Sequence, residues 1–95
     1  MPRSKFTQAE DIFHDLLRNL RRDKNLTQAD LAERLGLPQS YVSKYETGER
    51  RLDFVETAMV CKALGMTLES LARAFIGKLK TESSAKVGQR KGIVP

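Results

Sequence analysis

Between Thr27 and Gly48 the chain packs two helical patterns into so little sequence that few folds can hold them. Thr27 stands where an N-cap belongs, directly before Gln28-Ala29-Asp30, and Leu31, Ala32 and Leu35 give the short segment one apolar face. Gly36 follows at once, and glycine takes the positive φ that ends a helix without steric cost. Pro38 suits the start of the next helix, where its missing N–H costs nothing, and that helix runs from Gln39 to Glu46 before Gly48 closes it. Two helices joined only through Gly36-Leu37-Pro38 must cross at a large angle, which is the helix-turn-helix signature.

The flanking sequence supplies three more helices. Ile12, Phe13, Leu16, Leu17 and Leu20 recur at three- and four-residue spacing, so Thr7 to Arg22 reads as a first helix with Thr7 and Glu10 as a capping box. Asp53 with Glu56 marks the start of a fourth, whose buried stripe is predicted to be Phe54, Ala58, Cys61 and Leu64, ending at Gly65. Thr67 caps a fifth with Leu68, Leu71, Ala72 and Phe75 inward. No strand-like alternation interrupts this, so the expected fold is all-α, five helices over residues 1–76 with the helix-turn-helix at the second and third.

From Gly77 the composition turns to Lys, Thr, Ser, Gly, Arg and Gln, and residues 77–95 read as a flexible basic tail. The tail holds Lys78, Lys80, Lys86, Arg90 and Lys91 against Glu82, a charge of +4 out of the chain's +5. The folded part is therefore nearly neutral, and any nucleic-acid surface on it must be a local patch.

Other classes of function find little support. Cys61 is the single cysteine, so no intramolecular disulfide forms, and no His/Cys cluster suggests a metal or another cofactor. Its core spacing reads as a small buried hydrophobe. His14 is the single histidine and has neither a second histidine nor a cysteine nearby, so no enzyme is expected. The start Met1-Pro2-Arg3-Ser4-Lys5 lacks the apolar run of a secretory signal, and a cytoplasmic location is expected.

The run from Leu26 to Gly48, with Gln28, Ala32, Gly36, Val42, the Ser43-Lys44-Tyr45-Glu46 segment and Gly48, resembles the XRE family of phage-repressor-like helix-turn-helix domains. The resemblance covers roughly residues 12–75. It implies a bacterial or phage transcription regulator, a repressor by preference, which binds double-stranded DNA as a homodimer on an inverted repeat. It places the third helix in the major groove, with Gln39, Ser40, Ser43 and Lys44 toward the base edges. Gln39 matches the N6/N7 edge of adenine and Lys44 the O6/N7 edge of guanine. Gln28, Tyr41, Arg50 and Arg51 are its candidates for phosphate contact, and Arg21 with Glu46 its structural salt bridge.

One departure stands inside the motif: Pro38 occupies a place where the family often carries a capping Ser or Thr. Arg22, Lys24 and Arg34 read as ordinary surface charges, and Phe75, Ile76 and Leu79 as an apolar edge for dimerisation. The alternatives are an antitoxin-type module with a protein partner on the tail, and a restriction-modification controller.

Overall fold

Helix ends organise this chain, and three of them use the same device. The structure, a computed structural model, describes residues 5–87, with side chains over 7–81. In order the elements are α1 (Lys5–Asp23), α2 (Gln28–Leu35), α3 (Gln39–Thr47), α4 (Phe54–Leu64) and α5 (Leu68–Val87). After α1 the Leu26 N–H reaches back to the Arg21 carbonyl and the Asn25 N–H to Arg22; after α2, Leu37 reaches Ala32 and Gly36 reaches Glu33; after α4, Met66 reaches Cys61 and Gly65 reaches Lys62. Each is the paired closure that satisfies the last orphan carbonyls and reverses the chain sharply. It demands a left-handed residue, and Gly36 sits at φ 71°, while Asn25 takes the same role at φ 58°, which asparagine tolerates better than most side chains.

The starts are as firmly fixed. Thr27 accepts from the Asp30 N–H while Asp30 accepts from Thr27, and Asp53 and Glu56 form the same reciprocal box. Pro38 is the N-cap of α3, in extended backbone, with no side-chain cap, and the helix begins at Gln39 directly after it.

The five helices close around one core. α2 packs on α3 and α4, α1 on α3 and α5, and α4 on α5. Leu17, Leu31, Val42, Tyr45, Val60, Cys61 and Leu64 are fully enclosed, and Ala32 is almost so, small enough to let α3 pass over α2. Phe13 meets Phe75 edge to face at 5.5 Å, which fastens the chain's first helix to its last.

Four expectations require correction. α1 is already helical at Lys5, so Thr7 lies inside it and does not cap it. The inward stripe of α4 is Thr57, Val60, Cys61 and Leu64, and Phe54 is 74% exposed because the first residue of the helix overhangs the core. Ala72 is exposed, since Leu68, Leu71 and Phe75 set the buried face of α5. α5 continues through Gly77 to Val87, so the first part of the expected tail is helix; the rest, 88–95, lies outside the described residues.

A Cβ on Gly36 would meet no atom within 4 Å, so Gly36→Ala tests backbone conformation alone. We predict a loss of about 1 to 2 kcal/mol, read as a fall of roughly 4 to 8 °C in Tm per kcal/mol for a domain of this size.

Candidate nucleic-acid interface

α3 is only nine residues long, and its two sides do opposite work. Val42, Tyr45 and Glu46 are buried, whereas Gln39, Ser40 and Lys44 are exposed and Ser43 is half-buried. At about 100° per residue, positions 39, 40, 43 and 44 fall on one side of the helix, with Gln39 at the edge of that side nearest the buried Glu46.

What holds that face in place is a charge inside the protein. Glu46 is 2% exposed and Arg21, on α1, 7%. The Arg21 Nε–H donates to Glu46 Oε2 at 2.7 Å and Nη2 to Oε1 at 3.0 Å, the forked geometry that suits guanidinium and carboxylate. The remaining Nη1 of Arg21 donates to the Leu26 carbonyl at 2.8 Å. Arg18 adds a bond from Nη2 to the Glu46 backbone carbonyl at 2.8 Å. Hydrogen bonding to Glu46, above all, raises the Arg21 pKa further, so the guanidinium keeps its charge.

The pair extends outward to the exposed side of α3 through amides. Gln28 Nε2 donates to Glu46 Oε1 at 3.0 Å, and Gln39 Nε2 donates to Gln28 Oε1 at 3.3 Å. Gln39 and Glu46 are seven residues apart, two turns of helix on nearly the same line, and Gln28 at the start of α2 bridges them. With Nε2 turned toward Gln28, the Gln39 carboxamide is oriented before any ligand arrives.

The other predicted phosphate contacts are tied to carboxylates. Tyr41 and Arg50 both reach Glu56, the partner of Asp53 in the capping box of α4, and the Arg50 guanidinium lies 4.8 Å from the Tyr41 ring centroid. Arg51 Nε pairs with Glu10 Oε2 on α1 at 2.9 Å. Lys44 has no side-chain partner among the described residues. Gln28, Gln39 and Glu46 thus come together in one network, Tyr41 and Arg50 in a second, and Arg51 stands apart with α1.

Three residues were missed or misread. Arg34, taken for a plain surface charge, donates to the Ala63 carbonyl at 3.0 Å and closes the last turn of α4. Arg18 and Glu56 act through contacts across 28 and 15 positions of sequence, which no local pattern announces. Glu56 was legible as a cap; its second oxygen was not.

Two histidine and tyrosine groups lie beneath this surface. His14 is buried against Gly48, with its Cδ2 3.6 Å from where a Cβ on that glycine would stand. Burial lowers its pKa, opposed by Glu10 and Asp15 and assisted by Arg18 and Arg51. Tyr45 is wholly buried, and burial raises the pKa of its hydroxyl, which keeps its proton.

Comparison with known proteins settles the lineage. The family described as "Helix-turn-helix domain" matches residues 13–75. A solved XRE-family-like protein from Pseudomonas syringae pv. tomato is 38% identical, with a TM-score of 0.71 over 76% of this chain and 88% of that one. The chain belongs to the XRE family of helix-turn-helix domains. A second solved structure, the clp gene regulator ClgR from Corynebacterium glutamicum, is 26% identical with a TM-score of 0.73, covering 86% of this chain and 87% of its own. Among curated proteins, the HTH-type transcriptional regulator YqaE of Bacillus subtilis is 32% identical over 78 residues. This XRE chain spans 61% of that relative's length. No helix among the described residues is long and apolar enough to cross a membrane.

Two outcomes follow from the buried groups. Arg21→Met removes the forked partner of the buried Glu46 and leaves it only the Gln28 amide and, at 3.8 Å, the Arg18 guanidinium; this should cost up to about 3 to 5 kcal/mol, while Arg21→Met with Glu46→Leu should recover part of that loss in urea melts. A double variant no more stable than the single one would refute the pairing argument. For His14, a folded pKa below its unfolded value of 6.5 means that stability is complete above that pH and falls as pH drops through the folded value. Between pH 7 and 5 the wild type should therefore lose more stability than His14→Gln.

Proposed function

We propose that this protein is a sequence-specific transcription regulator, acting as a repressor, which binds double-stranded DNA with α3 in the major groove. The observation that carries the reading is the oriented Gln39: an exposed carboxamide at the first turn of α3, held by Gln28 and through it by the buried Glu46. A side chain with one rotamer fixed in advance loses less entropy on binding and discriminates base edges better. Its Oε1 and its second Nε2 hydrogen are left to take the N6/N7 pair of adenine. Lys44, exposed and without a protein partner among the described residues, addresses guanine O6/N7 from the next turns, with Ser40 and Ser43 between them.

Gln28 lies at the N-terminus of α2, where backbone N–H groups and the helix dipole favour a phosphate. Tyr41 on α3 and Arg50 in the loop after it are further backbone contacts, with Arg51 a third from its place beside α1. The relatives named as transcription regulators support this reading of the cellular role.

The active species in this reading is a homodimer. Ile76 is half exposed on α5 beside the partly buried Phe75 and Leu79, an apolar edge at the end of the domain. Joining two copies there presents two α3 helices to successive major grooves, about 34 Å apart on one face of the duplex. The site is then an inverted repeat, as suits a bacterial or phage regulator working in the cytoplasm.

The test is selection from a randomised duplex library at fixed salt, with wild type and Gln39→Ala in parallel. An inverted repeat should emerge, and Gln39→Ala should cost about 1 to 3 kcal/mol and relax one symmetric base pair. Recovery of no motif by the wild type, or unchanged specificity in the variant, would contradict the assignment.

A further inference from the structure

The second carboxylate hub, at Glu56, has no part in reading bases. Glu56 Oε1 accepts the Asp53 N–H at 2.9 Å, while Asp53 accepts the Glu56 N–H at 2.7 Å, so one oxygen is spent on capping α4. The other oxygen accepts the Tyr41 hydroxyl at 3.2 Å and Nη2 of Arg50. Arg50 also lies over the Tyr41 ring. Two of the candidate phosphate contacts, one on α3 and one in the loop after it, are therefore drawn onto a single anion.

Such a cluster has no net charge. A DNA phosphate that approaches Arg50 meets the Glu56 carboxylate beside it, and the guanidinium must either leave Glu56 and the tyrosine ring or share itself between two anions. Both options cancel much of what a free arginine would give to a phosphate. The Asp53 N–H, and after it Arg50, hold the Glu56 carboxyl below the usual carboxylate range, so it stays ionised at neutral pH.

We propose that Glu56 is a positioning residue that gates Arg50 and Tyr41, withholding them from the backbone of random DNA so that affinity depends on the contacts made by α3. The inference rests on the DNA-binding reading above. A duplex seated in register by α3 supplies enough contacts to turn Arg50 outward, and one lacking the matching bases does not. Removing the gate should raise non-specific affinity without touching Gln39 or Lys44.

The experiment measures binding of a short random-sequence duplex by fluorescence anisotropy over a salt series, using wild type, Glu56→Gln, Arg50→Gln and the double variant. Glutamine keeps a carbonyl oxygen for the Asp53 N–H and serves the capping box as glutamate does, so α4 keeps its start, and matching thermal melts confirm it. Glu56→Gln should bind up to about eightfold more tightly at 0.1 M salt, with the slope of log K against log salt steeper by about 0.9, one phosphate's worth. Arg50→Gln should change the wild-type slope little, and should lower it by about 0.9 in the Glu56→Gln background. An equal effect of Arg50→Gln in both backgrounds would overturn the gate and leave the DNA-binding reading standing. Absence of salt-dependent duplex binding in the wild type and every variant would overturn the DNA-binding reading itself.

Discussion

A buried carboxylate, Glu46, ties the structure together. It sits in the last turns of α3, forked by Arg21 from α1 and bonded by Gln28 from α2, so three helices converge on one charge. A carboxylate at 2% exposure survives only if its hydrogen bonds are complete, and here they are supplied from fixed directions. The net gain in stability from such a pair is small, since desolvation offsets most of the attraction. Its value lies in geometry: α3 has one angle and one depth at which all these bonds form together.

The same logic explains how so short an α3 can be precise. Nine residues with no side-chain cap at the start would fray if left alone. Val42 and Tyr45 anchor the middle of α3 in the core, Glu46 anchors its end, and Gly48 stops it. Glu56 then holds Tyr41 on the remaining side. The exposed face therefore carries its side chains on a rigid support.

Much of this was legible in the sequence, and the reasons divide cleanly. Helix boundaries were readable wherever a single residue type is forced, as at Thr27, Gly36, Asp53 and Gly65, because capping and left-handed backbone are local chemistry. Phe54 misled because periodicity gives the azimuth of a residue and says nothing about whether the core extends that far along the helix. Beyond Gly77 the apolar stripe fades, so a reading based on burial stopped there, although Lys, Glu and Ala still sustain helical backbone. The face of α3 was expected from residues 39, 40, 43 and 44, and the structure exposes it. The bonds that orient it join positions 28, 39 and 46, and Glu56 gathers 41 and 50, all through side chains whose meeting depends on how the helices pack.

The central claim is that Gln39 reads DNA from a position fixed through Gln28, and a double-mutant cycle tests it most directly. Gln28→Ala, Gln39→Ala and the double variant would be titrated against the duplex recovered by selection, at one salt concentration. Coupling of about 0.5 to 3 kcal/mol is the predicted result, because neither glutamine serves fully without the other. Strict additivity, with each substitution costing the same in either background, would contradict the claim and leave the relay from Glu46 a feature of folding alone.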